Sequence, residues 1–331
     1  MTSSQLLENF SRLRVLVVGD IMLDHYVWGD VSRISPEAPV PVVLVERDSY
    51  TVGGAANVAH NLSSLGLSVE LIGIVGDDEA GRRLRCMLAE KNVMAERCVV
   101  SSNAPTIVKT RVMARKQQVC RIDREGPRAQ YSQEAESGLL AQVGTVIDEG
   151  VQAVIVSDYA KGAISQGVLD GILQAARARQ ILVAVDPKPE RRLTMRGVGL
   201  LTPNRHEALV LAGLPEPVAG EFYPLAAVCA RIHENYTPAM LVVTLGADGM
   251  ALSRSGRVEQ VIPTAAREVY DVSGAGDTVI ATLTAALAAG ADLETAVHLA
   301  NQAAGVVVSK IGTAVVTPEE LKRQIVSTET R

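Results

Sequence analysis

Short apolar runs and longer amphipathic stretches alternate along most of the chain. Residues 14–19, 153–157 and 181–186 are runs of mainly β-branched and aliphatic residues that each end at or beside an aspartate, as expected of strands buried on both faces of a sheet. Between such runs, apolar residues recur every three or four positions and predict helices. Because parallel strands need long crossover connections, usually helices, this alternation predicts an α/β fold with a mostly parallel sheet covered on both faces.

The same pattern gives approximate bounds for each element. Strands are predicted at residues 14–19, 69–75, 153–157, 181–186, 199–201 and 240–245, with hairpins at 106–113 with 118–123 and at 250–253 with 258–262. Helices are predicted at residues 54–65, 79–91, 133–149, 166–178, 207–212, 225–235, 277–289, 293–308 and 318–327. Glycines follow two of these helices, at Gly66 and Gly290, and are typical helix stop signals.

A small β-sheet lid is predicted to stand off the main sheet. Its strands come from approximately residues 25–47 and 106–123, within a single domain that spans residues 1–331. Three prolines in the first segment favour edge strands over central ones. The first segment contains six large apolar residues, which is more apolar surface than a small solvent-exposed sheet usually has. This predicts a homodimer formed through the lid. The six residues are Val27, Trp28, Val31, Val40, Val42 and Leu44.

Composition and charge narrow the range of functions. The chain of 331 residues is 47% apolar with a net charge of −5, so its overall charge indicates neither a nucleic-acid partner nor a membrane surface. Its four cysteines show no paired spacing, which argues against zinc sites and a disulfide framework. The polar, charged N-terminus does not resemble a signal peptide, and no later run reaches the length of a membrane span. A cytoplasmic location is therefore expected.

Residues 271–278, Asp-Val-Ser-Gly-Ala-Gly-Asp-Thr, combine a glycine turn with the start of an apolar helix. Unpaired amides at 274–276 and the positive end of the helix dipole predict an anion site, and phosphate is the expected anion. Asp277 would repel a phosphate, so we assign it a chemical role as the base that takes a proton from a hydroxyl attacking the γ-phosphorus of a nucleotide. The alternative is a capping aspartate after a glycine turn.

Further polar residues follow the carboxyl ends of predicted strands, where ligands of open parallel sheets bind. Those residues are Asp20, Asp24, Asp158, Asp186, Lys188, Asn204 and Gly246. The predicted lid hairpin carries four cations within eight positions, which indicates an anionic substrate, with an exposed basic face as the alternative. They are Lys109, Arg111, Arg115 and Lys116. A dinucleotide fingerprint after the first strand and a Gly-Lys pair for a Walker A loop are both absent from the sequence.

Residues 271–278 resemble the C-terminal signature of the ribokinase-like (pfkB) carbohydrate kinases, and residues 53–59, Gly-Gly-Ala-Ala-Asn-Val-Ala, resemble the N-terminal signature of the same family. The two segments stand in the family's order. Residues 32–42, 157–162 (Ser-Asp-Tyr-Ala-Lys-Gly) and 201–204 (Leu-Thr-Pro-Asn) are similar to the branch that acts on heptose 7-phosphate. The resemblance implies a three-layer ribokinase-like sandwich with a β lid and a lid-to-lid homodimer.

The resemblance also implies a reaction and its cofactors. It implies ATP-dependent phosphorylation of D-glycero-β-D-manno-heptose 7-phosphate at O1, giving the 1,7-bisphosphate for ADP-heptose and lipopolysaccharide core synthesis. Mg²⁺ is implied as a cofactor, and many members bind K⁺ near the aspartate that opens the signature, here Asp271. Other sugars or sugar phosphates, and a non-catalytic sugar-binding regulator, are the alternatives. Because the His-x-Gly-His of the adenylyltransferase fused to many relatives is absent, only the phosphorylation is expected.

The resemblance assigns roles to residues that match the family motifs. Asp277 is implied as the catalytic base, and Glu207 as a Mg²⁺ ligand acting through water. The sugar and its phosphate are implied to bind Asp24, Gly53, Gly54, Asn57, Lys109, Arg111, Lys116, Asp158 and Lys161. The nucleotide is implied to bind Asn204, Glu207, Thr244, Gly246, Gly249, Gly274, Ala275, Gly276 and Asn301.

Overall fold

A computed structural model describes residues 3–115, 117–126, 131, 133–191, 193–218, 220–266 and 268–329. Its strands are β1 (Arg14–Gly19), β2 (Ile21–Ile34), β3 (Pro41–Gly54), β4 (Ser68–Ile72), β5 (Ile74–Gly76), β6 (Val93–Met94), β7 (Val99–Ser101), β8 (Ile107–Ala114), β9 (Gln117–Arg124), β10 (Ala153–Ser157), β11 (Leu182–Asp186), β12 (Leu200–Leu201), β13 (Met240–Thr244), β14 (Met250–Arg254) and β15 (Arg257–Ile262).

Its α-helices are α1 (Ser3–Asn9), α2 (Ala55–Ser64), α3 (Glu79–Glu90), α4 (Gln133–Glu149), α5 (Gln166–Arg177), α6 (Arg205–Ala212), α7 (Leu225–Tyr236), α8 (Ala275–Ala288), α9 (Leu293–Val308) and α10 (Pro318–Glu329). Single 3₁₀ turns lie at Phe10–Arg12, Pro189–Arg191 and Gly246–Asp248.

The main sheet of the described residues is mostly parallel and lies between two layers of helices. Its strand order is β15-β14-β13-β12-β11-β10-β1-β4-β6, with antiparallel pairing where β13, β14 and β15 meet. Side chains of β1 alternate between the two layers: Val15 and Val17 pack with the cluster formed by α2, α8 and α9, whereas Leu16 and Val18 pack with α4, α5 and α7. This two-residue alternation within a wholly apolar strand explains why β1 is buried on both faces. The predicted three-layer α/β architecture is confirmed.

The lid is a second sheet, and its first two strands are longer than predicted. Its strand order is β3-β2-β8-β9, and β2 and β3 each contain 14 residues. Their antiparallel ladder continues from the lid down to the pair Ile21 and Gly54, beside the main sheet. Pro41 begins β3, which is an edge strand and therefore tolerates a residue without an amide hydrogen.

Gly73 divides the strand that was predicted at residues 69–75. β4 ends before this glycine and pairs with β1, whereas β5 follows it and pairs with β7 in a separate two-stranded sheet. A Cβ atom at position 73 would lie 2.5 Å from the carbonyl oxygen of Gly19. The close backbone approach therefore requires glycine here.

No helix in the described ranges is long and apolar enough to cross a membrane. The cytoplasmic location and the single domain over residues 1–331 remain predictions.

Candidate active site

The carboxylate of Asp277 lies at the start of α8, buried between two other segments of the chain. Gly274 caps this helix in the left-handed region, with φ of 79°. Oδ1 of Asp277 accepts a hydrogen bond of 2.6 Å from the hydroxyl of Tyr159, and Oδ2 accepts one of 2.6 Å from Nδ2 of Asn57. Two neutral donors therefore fix the orientation of the predicted base.

The surroundings of Asp277 tune its proton affinity towards neutral pH. Burial raises the pKa of Asp277 to about 6, and Asp24 adds to the rise, while the hydrogen bonds from Tyr159 and Asn57 oppose it. Burial and the neighbouring Asp277 also raise the pKa of Tyr159 well above its usual value, so its hydroxyl stays protonated and continues to donate. The carboxylate is thus ionised at neutral pH and able to accept a proton.

The turn before α8 leaves fewer free amides than predicted. The first four amides of a helix have no intrahelical acceptor. The amide of Ala275, however, donates to the carbonyl oxygen of Val272 at 3.2 Å. Because a Cβ atom at Gly276 would meet nothing within 4 Å, its backbone is open to a ligand.

Asp20 anchors the loop that carries Tyr159 and Lys161. The Asp20 carboxylate is buried and accepts hydrogen bonds of 2.9 Å from the amides of Tyr159, Lys161 and Ala163. The sequence placed Asp20 at a strand end and Tyr159 within a family motif, but gave neither a role. Only the motif signals Tyr159, because its contact with Asp277 joins residues 118 positions apart.

A cavity of about 200 Å³ opens beside Asp277, and we call it the acidic cleft. Its lining includes Asp158, Asp186, Lys188, Asn204, Glu207, Thr244, Gly274, Gly276 and Asp277. Burial raises the pKa of Asp186 well above its usual value, with contributions from Glu207 and Asp277. Asp158 was predicted among the sugar-binding residues, but it lines this cleft together with the predicted nucleotide residues. Its carboxylate accepts a hydrogen bond from the Ala160 amide at 2.8 Å.

Asn204 and Glu207 form a reciprocal capping box at the start of α6. Oδ1 of Asn204 accepts from the Glu207 amide at 3.0 Å, and Oε2 of Glu207 accepts from the Asn204 amide at 2.9 Å. Oε1 of Glu207 also accepts from Nζ of Lys188 at 2.8 Å. Glu207 therefore has a structural role in capping α6, and its role towards Mg²⁺ remains a prediction.

A larger, mostly apolar cavity of about 460 Å³ adjoins the acidic cleft, and both are lined by Thr244 and Gly276. Its lining contains the predicted nucleotide residues Thr244, Gly246, Gly249, Ala275, Gly276 and Asn301. The side chain of Asn301 donates to the carbonyl oxygen of Pro263 at 2.7 Å and accepts from the Ala265 amide at 3.3 Å. This cavity has the size and apolar character of a small-molecule site.

The predicted sugar residues lie where the lid meets the main sheet. Asp24 is buried, and a Cβ atom at Gly53 would lie 2.5 Å from its Oδ2 atom. Gly54 has φ of 60°, and a Cβ atom there would lie 2.4 Å from the carbonyl oxygen of Asp20. The absence of side chains at the two glycines therefore makes room for the Asp24 carboxylate and the Asp20 backbone. The sequence had suggested that it makes room for a ligand. Oδ1 of Asn57 is buried and has no hydrogen-bond partner among the described residues.

One face of the lid, which we call the lid face, carries a group of charged residues. The strand register places Asp24, Lys109, Arg111, Arg121 and Asp123 on this face. Arg121 could not be assigned to this group from the sequence, because its position depends on the pairing of β8 with β9.

Each predicted substrate-binding cation that the structure describes already has a carboxylate partner. Arg111 pairs with Asp24 at 2.5 Å, and Lys109 pairs with Asp123 at 3.6 Å. Lys161, in the loop anchored by Asp20, pairs with Glu125 at 2.5 Å. Lys116, also predicted to bind substrate, lies outside the described residues.

Asp271 joins two loops through its carboxylate. Oδ1 accepts from the Ser273 amide at 2.9 Å, and Oδ2 accepts from the Gly312 amide at 3.0 Å. Although burial opposes the change, hydrogen bonds from Ser273 and Gly312 lower the pKa of Asp271. Within the described ranges, no cluster of three or more His, Cys, Asp or Glu residues is arranged to hold a metal ion.

Comparisons of the sequence and of the fold with known proteins find one family and one fold. Residues 12–320 match the model of the pfkB family carbohydrate kinases. The chain is 44% identical over 324 residues to "Bifunctional protein HldE" of Magnetococcus marinus, covering 97% of this chain and 66% of that protein. It is 46% identical over 316 residues to the protein of the same name from Pseudomonas syringae pv. tomato, covering 96% and 64%. The chain thus spans less than two thirds of the length of these relatives.

Solved structures share the fold at low sequence identity. Arabidopsis thaliana ribokinase complexed with ribose and ATP superposes with a TM-score of 0.72 at 20% identity, covering 95% of this chain and 98% of that one. Phosphofructokinase-2 from Escherichia coli in complex with potassium gives 0.77 at 21% identity, covering 96% and 100%. The expected ribokinase-like fold is confirmed.

Proposed function

The chain belongs to the pfkB family of carbohydrate kinases, and on that premise we propose that it transfers the γ-phosphoryl group of ATP to O1 of D-glycero-β-D-manno-heptose 7-phosphate. The observation that carries the proposal is the position of Asp277, a buried acceptor that lines the acidic cleft beside the apolar cavity and lies close enough to Asp24 of the lid face to interact with it. The similarity to the HldE proteins supports the choice of a heptose phosphate, and so do the motifs at 157–162 and 201–204.

In the proposed reaction, Asp277 takes the proton of the O1 hydroxyl as O1 attacks the γ-phosphorus. The bond from O1 to phosphorus forms, the bond from phosphorus to the β,γ-bridging oxygen breaks, and ADP leaves. Tyr159 and Asn57 hold the carboxylate so that it is oriented before the sugar binds. The helix start at Gly276 offers amide donors and a positive dipole end to the transferring group.

For the nucleotide, we place the adenine and ribose in the apolar cavity and the phosphates along the acidic cleft towards Gly276. The oxygen ligands of the cleft fit a divalent cation, because Asp186 and Glu207 are neighbouring carboxylates. Lys188 pairs with Glu207 and would have to release that carboxylate oxygen. Asp186 and Glu207 would hold Mg²⁺, the latter through water, and Mg²⁺ when bound neutralises charge on the phosphate oxygens. K⁺ beside Asp271 remains a proposal that assays with and without K⁺ would test.

A substrate panel with detection of ADP release tests the proposed activity. The purified chain should phosphorylate heptose 7-phosphate with a kcat/KM well above those of ribose, fructose 6-phosphate and other sugars, and ³¹P NMR should locate the new phosphate at C1. Preference for another sugar would make the protein a ribokinase-like kinase of that sugar. Sugar binding without ADP release would make it a non-catalytic regulator.

The pH dependence of kcat should report the ionisation of Asp277. Protonated Asp277 cannot accept the O1 proton, so kcat should fall as pH decreases through about 6. The hydrogen bond from Tyr159 stabilises the carboxylate and lowers its pKa, so Tyr159→Phe should move the acid limb to higher pH. Profiles of kcat from pH 5 to 8 for both proteins check this prediction. An acid limb that Tyr159→Phe leaves in place would contradict it.

We also propose that two copies of the chain pair through their lids. Leu44 on the edge strand β3 is 70% exposed in the single chain, and Ile34 and Ile122 are other exposed apolar residues of the lid. Light scattering at micromolar concentration should give a dimer mass for the wild type and a monomer mass for Leu44→Glu. Phe222→Glu is the matched control, because Phe222 is 97% exposed outside the lid. A monomeric wild type would contradict lid pairing.

A further inference from the structure

The ion pair between Asp24 and Arg111 joins two residues that the proposed function assigns to the same substrate. Asp24 is assigned to the sugar hydroxyls and Arg111 to the sugar phosphate. The guanidinium of Arg111 donates a hydrogen bond of 2.5 Å to Oδ1 of Asp24. The sugar and the guanidinium therefore compete for the same carboxylate.

The pair is shielded enough for this competition to matter. The side chains of Asp24 and Arg111 are 8% and 24% exposed, so water replaces a lost partner poorly. The guanidinium also lies over the ring of Tyr26, 5.3 Å from its centroid. Asp123 and Asp271 are the other carboxylates that face Arg111, and each already accepts hydrogen bonds elsewhere.

A neutral sugar and a sugar phosphate would meet this pair with different consequences. A neutral sugar that takes Asp24 leaves the half-buried guanidinium without its carboxylate, and no new anion replaces it. A sugar phosphate brings a dianion for the guanidinium, so Asp24 is released while the number of charge-assisted hydrogen bonds is kept. An exchange of partners thus favours the phosphorylated substrate over the same sugar without phosphate.

We propose that Arg111 determines the specificity for phosphorylated sugars by masking Asp24 until an anion takes its place. This inference rests on the proposed function, because it takes Asp24 as the acceptor of the sugar hydroxyls. Lys109 is the natural comparison. It is a cation on the same lid face, but it pairs with Asp123 and leaves Asp24 unmasked.

The first test compares Arg111→Met with Lys109→Met on heptose 7-phosphate and on the same heptose without phosphate. Both variants should lose kcat/KM for the phosphorylated sugar by about tenfold or more, because each loses a cation. Only Arg111→Met should gain activity on the neutral heptose, by about tenfold, because only there is Asp24 released. Thermal melting curves establish that each variant is folded.

The second test starts from the wild-type protein and uses Arg111→Met as its comparison. Phosphite added to the wild-type protein with the neutral heptose supplies the anion separately and should raise turnover of the neutral sugar. The same addition should not raise turnover by Arg111→Met, in which Asp24 is already free. If Arg111→Met does not fold, the phosphite response of the wild type decides alone.

Different experimental results would refute the masking of Asp24 and the proposed function. A wild type that does not phosphorylate heptose 7-phosphate refutes the proposed function, and the masking is then tested with the preferred sugar phosphate and its neutral sugar. The masking is refuted if the wild type is active on heptose 7-phosphate, but neither the folded Arg111→Met variant nor added phosphite raises turnover of the neutral heptose. Gain by both routes supports it.

Discussion

Replacing Asp277 with asparagine is expected to lower kcat by about 10²–10⁴-fold, with sugar and ATP affinities close to those of the wild type. Asparagine has nearly the same shape and keeps one oxygen that can accept from Tyr159 or Asn57, the two donors that hold the carboxylate. It cannot take the proton of the O1 hydroxyl. The loss should therefore fall on the chemical step and leave substrate binding in place.

Steady-state kinetics with ADP detection measure the change in kcat, and calorimetric titration with each substrate measures binding. Asp170→Asn is the matched control, because Asp170 lies on the exposed part of α5 and contacts Gln166. It should leave both kcat and KM unchanged. A folded Asp277→Asn variant with near wild-type turnover would remove Asp277 from the proposed mechanism.

Replacing Asp20 with alanine is expected to lower the free energy of unfolding by about 3 kcal/mol or more. The substitution removes the acceptor of three backbone hydrogen bonds from one buried position. The amides of Tyr159 and Lys161 would lose their carboxylate acceptor, and the loop that positions both side chains would be released. Turnover should therefore fall together with stability.

Urea unfolding at a fixed protein concentration measures the loss of stability. Asp30→Ala provides the control, because Asp30 pairs with Arg115 on the exposed part of the lid and such pairs contribute little. Its unfolding midpoint should stay close to that of the wild type. An Asp20→Ala variant as stable as this control would show that the loop does not depend on the Asp20 carboxylate.

The sequence predicts the main sheet and its helices well, for a physical reason. Strands β1 and β10 and helices α4 and α9 have the predicted bounds. Each is a long or uniformly apolar segment whose burial follows from its own periodicity. Elements such as β6 and β7 have two and three residues, too few for a period to be seen, and their pairing partners are set by the tertiary structure.

The lid shows where local pattern is insufficient. The predicted lid strands are present, but the ladder of β2 and β3 extends to the pair Ile21 and Gly54, whereas the sequence predicted that a helix begins at Gly54. The pairing of a long twisted hairpin depends on contacts along its whole length. The pairing of Asp24 with Arg111 could not be predicted either, because it requires the parallel register of β2 against β8.

The candidate site was predictable where a motif carries the chemistry. The segment around Asp277 and the segment around Asn57 were both singled out, and the structure brings them into contact across 220 residues of sequence. Tyr159 was missed as a partner of Asp277, because nothing in a single sequence relates the two positions. Asp20 was placed at a strand end, but its three amide partners depend on the conformation of the loop after β10.

A crystal structure of the wild type with heptose 7-phosphate and a non-hydrolysable ATP analogue is the decisive test of the role proposed for Asp277. We expect the O1 hydroxyl within hydrogen-bond distance of the Asp277 carboxylate, the γ-phosphate analogue at the Gly276 amide, and the sugar phosphate on the lid face. A sugar bound elsewhere, or an Asp277 carboxylate turned away from O1, would contradict it.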